Sequence, residues 1–207
     1  MIADGAHSVF INCPFDPGYE PLRNAMVFAI ADCGFVPCCS LDDDNGLVVR
    51  FSKISALIGH ARFGIHDISR IELESGNGLP RFNMPLELGM FIGAAQYGNH
   101  NDAKSILILD KDPYRYQVFI SDIAGHDIRA HGCDPRRLIA HIRNWLRSQS
   151  NDAEFPGGNA IYNRFLQFNA ALPKLCRGMS LEVDELTFAD FKYLVARWSN
   201  AHRNCFY

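Results

Sequence analysis

The chain has 207 residues, 48% hydrophobic and 21% charged, with 15 Phe; this composition builds a globular core and excludes the disordered and fibrous classes. A formal net charge of −3, with basic residues scattered apart from Arg136–Arg137 and Arg143–Arg147, leaves a nucleic-acid partner unsupported. Residues 1–7 lack a basic and apolar leader pattern, and no apolar run reaches the roughly eighteen residues of a membrane span. The chain is therefore expected to be cytoplasmic and to have no membrane partner.

The elements follow in chain order. Residues 8–13 (SVFINC) read as a strand that ends in the turn Pro14-Phe15-Asp16-Pro17-Gly18, and residues 19–33 as a helix broken by Gly34. A second strand is expected over 35–39 and an acidic loop over 41–46. A helix over 50–60 follows, with Ile54, Leu57 and Ile58 on one face. A third strand at 63–68 leads into a polar, Gly-rich loop at 69–82, a helix over 84–97 and a regular strand at 105–109. Residues 114–123 read as helical, 127–130 as a short edge strand and 135–148 as an amphipathic helix. The stretch 151–158 reads as a linker, and 159–202 as two helices around the break 173–178.

Strands alternating with helices predict a flavodoxin-like three-layer α/β sandwich around a central, mostly parallel sheet of about five strands. Residues 1–150 would form this domain and 151–207 a C-terminal helical appendage. Seven cysteines make an odd number, and their apolar surroundings suit buried, reduced thiols. The adjacent Cys38 and Cys39 lack metal or redox spacing, and no metal site is expected. Nucleophile-elbow, P-loop and G-x-G-x-x-G signatures are absent from the sequence.

Ligands of open parallel sheets bind outside the carboxyl ends of the strands. The polar residues expected there are Asn12 and Asp16, Asp42–Asp44, Asp67 with Ser69 and Arg70, and Asp110 with Asp112. Asp67 ends a strand whose isoleucines pack on the sheet; capping of the next turn is its ordinary alternative. Glu87 stands out because MPLELGMFIGAA contains no other charge, which predicts a helix buried all round and a carboxylate with a raised pKa. Its ordinary alternative is an acidic residue favoured in a first helical turn.

Gly89 and Gly93, one turn apart, suggest close approach of the sheet or of a second subunit, so a homo-oligomer stays open. Arg50, Arg70 and Arg81 flank loops near the expected crevice, where they could hold phosphate or simply be solvated. The stretch 119–127, with Asp122 among its polar residues, has the character of a lid.

The pairing of Asp67 in GIHDIS with RFNMPLELGMFIGA resembles the TIR-like and nucleoside 2-deoxyribosyltransferase superfamily, where a strand-ending Asp precedes an N-x-x-x-E-L-G helix start. SVFINCPFD is likewise similar to the first strand and loop of TIR-like domains, and the resemblance covers about residues 8–148. It implies that Glu87 is the catalytic carboxylate of an N-glycosidase (an NAD(P)+ nucleosidase or a deoxyribosyltransferase-like enzyme) and that Asp67 helps bind base or ribose. NAD or a nucleoside would be substrate rather than cofactor, and many TIR-like relatives serve in bacterial defence.

Arg81-Phe82-Asn83-Met84-Pro85 precedes the Glu where a deoxyribosyltransferase would show an acidic residue and a Gly-Thr-like step, which favours the TIR-like side. The expected substrate-binding residues are Asn12, Asp16, Asp67, Ser69, Arg81, Asn83 and Asp122. A non-catalytic nucleotide-binding, signalling or assembly module of the same fold is the alternative.

Overall fold

The computed structural model describes residues 7–42, 44–71, 81–98, 103–150 and 155–203. Asp43, Cys205, most of the loop expected at 69–82 and the first half of the linker expected at 151–158 lie outside them.

Five parallel strands form one sheet: β1 (Ser8–Asn12), β2 (Val36–Cys38), β3 (Phe63–Asp67), β4 (Ser105–Asp110) and β5 (Ile128–Ala130). The helices are α1 (Glu20–Asp32), α2 (Arg50–His60), α3 (Asn83–Tyr97), α4 (Pro135–Gln149), α5 (Gly158–Arg177) and α6 (Phe188–Arg203). Strand order β2-β1-β3-β4-β5 is the flavodoxin-like doubly wound arrangement, with the chain reversing its direction of travel between β1 and β3. No helix among the described residues is long and apolar enough to cross a membrane.

Strand periodicity sorts the side chains into two cores. Val9, Ile11, Phe63, Ile65, Leu107 and Leu109 pack in one cluster with α1 and α4. On the other face, Phe10 joins Ile54 and Ile58 of α2 and Phe91 of α3, while Ile108 meets Met84 and Leu88. The two C-terminal helices add a further layer over α1. Phe28 is fully buried against Phe165, Phe168 and Trp198, with ring centroids 5.5, 5.5 and 5.6 Å away.

Three sequence expectations need correction. Residues 114–123 are not a helix but two 3-10 turns, Arg115–Val118 and Ser121–Ile123. Tyr114 at φ 61° blocks a helical start, and Ile120, non-helical at φ −148° and ψ 61°, separates the turns. The break expected at 173–178 falls later, because Pro173 sits inside α5. The buried stripe Ile161, Phe165, Phe168, Leu172 and Cys176 runs through it and offsets the lost hydrogen bond; the chain turns at Gly178 and at Ser180, whose φ is 57°. Finally, α3 buries one face only, through Met84, Leu88 and Phe91, while Leu86 and Gly89 on its outer side are exposed.

Candidate functional site

At the β1/β3 switch point the two strands place Asn12 directly beside His66. Both side chains follow Phe10 toward the α2/α3 layer, the register that one-in-two alternation requires. Asn12 is only 2% exposed, and its amide nitrogen donates to the Met84 carbonyl at 2.9 Å. The same nitrogen lies 3.0 Å from His66 Nδ1, which must act as acceptor and therefore leaves the proton on Nε2. Burial holds the His66 imidazole down at about 3, so the ring is neutral at ordinary pH; it packs edge-on to Phe91 at 5.0 Å. Through Met84, these contacts pin the first turn of α3 to the sheet.

Glu87 lies one turn further along α3 and lines a cleft of about 310 Å³. Asn12 at the end of β1 and Cys13, Pro14 and Phe15 of the loop after it also line this cleft. Arg50, Arg81, Asn83 and Met84 complete it. Both helices that reach the cleft begin there: Arg50 is the first residue of α2, and Asn83 the first of α3. Neither start carries a side-chain cap, so their first-turn N–H groups keep their positive dipole end toward the opening. Burial raises the Glu87 carboxyl to about 7, and the Arg50 charge opposes that rise. A half-ionised carboxyl near neutrality, beside arginines in a concave site, can act as a base or stabilise a developing cation.

The structure brings together Asn12, Arg81, Asn83 and Glu87, and it separates the other expected site residues from them. Asp67 shares the parity of Phe63 and Ile65, which turns it to the α1/α4 side, away from Glu87. Wholly buried, it accepts from the Tyr19 hydroxyl and, at 2.8 Å, from Ser69 N–H; His131 Nε2 stands 3.0 Å away in poorer alignment. Burial alone would push the Asp67 carboxyl up, but His131, Ser69 and Tyr19 outweigh it and leave the group below its ordinary value.

Ser69 is itself buried behind Asp67, and Asp16 pairs with Arg70 at 3.4 Å across Gly18. Asp122 is exposed on a 3-10 turn whose Ile123 is packed into the β4/α3 core, so this segment is anchored there. A β-carbon at Gly89 or Gly93 would meet nothing within 4 Å, so no close approach within the described chain explains either glycine.

Sequence reasoning missed Cys13, Pro14, Phe15 and Met84 as lining residues, although the Pro-Phe-Asp-Pro-Gly turn after the first strand already marked where a crevice wall would stand. It also missed the Tyr19–Asp67–His131 cluster, because His131 reaches Asp67 only through the pairing of β4 with β5. Comparison with known protein families, with curated proteins and with solved structures finds no match to this chain.

Proposed function

We propose that this chain is a TIR-like N-glycosidase that cleaves the ribose–base bond of NAD or a related nucleotide or nucleoside, with Glu87 as its catalytic carboxylate. The supporting observation is a single carboxyl, raised to about 7 by burial, in a cleft at the β1/β3 switch point. As the C1′–N bond breaks, its electron pair leaves with the base nitrogen and C1′ becomes oxocarbenium-like. The ionised Glu87 stabilises that charge or traps it as an ester. Nicotinamide leaves neutral, because the departing pair cancels its pyridinium charge, so no second acid is required. Water then adds to C1′ and passes a proton to Glu87.

A binding module of the same fold remains the second reading, favoured by one observation: Asp67, the other expected acid, is committed to Tyr19, Ser69 and His131. Following nicotinamide release from NAD distinguishes the two. The glycosidase reading expects Glu87→Gln to lower the rate by about 10²–10³-fold with the fold intact, the usual loss when one transition-state contact is removed. Equal rates of release from the two proteins remove the catalytic role assigned to Glu87, and no release from either favours the binding module.

A further inference from the structure

Building on the glycosidase reading, we propose that Asn12 reads the 2′-hydroxyl of the substrate's ribose through its side-chain oxygen, so that the site takes ribonucleosides or ribonucleotides and discriminates against 2′-deoxyribose. Asn12 lines the same cleft as Glu87 while being only 2% exposed. Both hydrogens of its amide nitrogen are committed inward, one to the Met84 carbonyl at 2.9 Å and one to His66 Nδ1 at 3.0 Å. Among the described residues no donor reaches Oδ1, and that oxygen is not sealed from solvent as His66 Nε2 is. It is therefore the group that Asn12 has left for a ligand, and it can only accept.

Two contacts fix this orientation. Turning the amide over would set Oδ1 against the Met84 carbonyl, with two acceptors facing each other. Holding His66 Nδ1 as an acceptor leaves the ring proton on Nε2, a buried N–H that finds no partner. The fold thus keeps an unpaired donor in its core and gains a fixed acceptor at the cleft.

Asn12 grips α3 at Met84, three residues before Glu87, so its amide and the carboxyl stand about one helical turn apart. A carboxylate that stabilises C1′ stands about 3–3.5 Å from it. The 2′-hydroxyl sits on the next carbon of the sugar ring and is the donor that then falls within hydrogen-bond reach of Asn12. The donors of nicotinamide belong to its carboxamide, several bonds further from C1′. Hydrogen bonds to the 2′-hydroxyl strengthen as C1′ becomes oxocarbenium-like, so the contact favours turnover as well as binding.

Nicotinamide mononucleotide and its 2′-deoxy and 3′-deoxy counterparts test this, because each counterpart lacks one hydroxyl and differs in nothing else. All three are titrated calorimetrically into Glu87→Gln, which keeps the C1′–N bond uncut, and into the same protein carrying Asn12→Ala. Since Asn12 is buried and its replacement can unfold the chain, the side-chain amide resonances of Asn12 in Glu87→Gln provide a second readout.

The contact predicts that the mononucleotide binds at least about tenfold tighter than its 2′-deoxy counterpart, the loss expected when a buried acceptor is left unpaired. The 3′-deoxy counterpart should bind like the parent. The Asn12 resonances should move with these two ligands and stay in place with the 2′-deoxy one. Asn12→Ala should close the gap by weakening the mononucleotide alone. Equal affinities for the mononucleotide and its 2′-deoxy counterpart overturn the contact and leave the glycosidase reading standing. A loss confined to the 3′-deoxy ligand also overturns it, as does a gap that survives Asn12→Ala. If that variant does not fold, Asn12 resonances moved alike by the mononucleotide and its 2′-deoxy counterpart overturn it instead. Binding of none of the three overturns the contact and the glycosidase reading together. Selective, Asn12-dependent binding without cleavage by the wild type supports the contact and overturns only the glycosidase reading.

Discussion

The carboxylates of Asp67, at the end of β3, and Glu87, on α3, prove to be opposites at the residue scale. Glu87 is held near neutrality by burial, whereas Asp67 is kept ionised by its donors. Their stabilities should therefore respond to pH in opposite senses. For Glu87 the folded value of about 7 exceeds the ordinary unfolded value of 4.5, so the folded state holds the extra proton between them. Wild-type stability is then highest below the lower value and declines as pH rises through the upper one. Glu87→Gln should be the more stable protein at pH 8, by about 1–2 kcal/mol after allowing for solvent screening, with the difference shrinking toward pH 4.5. Urea midpoints of the two proteins across this range provide the check.

Asp67 runs the other way: its ionised form contributes stability above the unfolded value of 3.8, and the contribution fades as pH falls through the lower folded value. Asp67→Ala leaves Tyr19 and His131 facing a void and should cost about 3–5 kcal/mol at neutral pH; a loss under about 1 kcal/mol would show that the cluster contributes little. Glu87 was legible from sequence because it is the lone charge on an apolar helix. Asp67 was misplaced because the sequence shows that a strand ends there but not which face the last residue takes.

At the scale of the element, α2 was legible to the residue, from Arg50 to His60, because Ile54, Leu57 and Ile58 mark its apolar stripe. Its end depends on a distant side chain. Lys104 Nζ donates to the carbonyls of Ile58, Gly59 and Ala61 at 2.8, 3.0 and 2.7 Å, closing the C-terminus with a positive charge. Lys104→Met keeps most of the stem's bulk and removes these bonds. It should lower stability by about 1–2 kcal/mol and speed amide exchange in the last turn of α2; unchanged exchange would argue against the cap. The misread stretch 114–123 shows the limit of periodicity. Its apolar spacing suits a helix, and nothing in it announces the left-handed Tyr114, which leads into Arg115 with its side chain on Asp110 and on the Ile68 carbonyl.

At the scale of the whole molecule, the sheet and its order follow from the alternation of short β-rich runs with helical patterns, and five parallel strands stand where that alternation placed them. How α5 and α6 sit could not be read, because the stripe that buries Phe165, Phe168 and Trp198 does not name its partner. That partner is α1, through Phe28, and Arg164 adds an ion pair to buried Asp32. A fragment ending at residue 150 would expose this face and should lose a cooperative thermal transition; a sharp transition close to that of the full chain would show the α/β part to be self-sufficient.

The cleft lies on the other side of the sheet from this contact, where α2 and α3 start and Glu87 shares the lining with Arg50 and the loop after β1. The most direct measurement is the rate of nicotinamide release from NAD as a function of pH, in the wild type and in Glu87→Gln. Under the proposed mechanism the ionised carboxylate is the working form, so the wild-type rate should climb through a midpoint near the Glu87 value of about 7, and Glu87→Gln should be slow and flat. A wild-type profile with no inflection between pH 6 and 8, or a Glu87→Gln protein as fast as the wild type, would contradict the role assigned to Glu87.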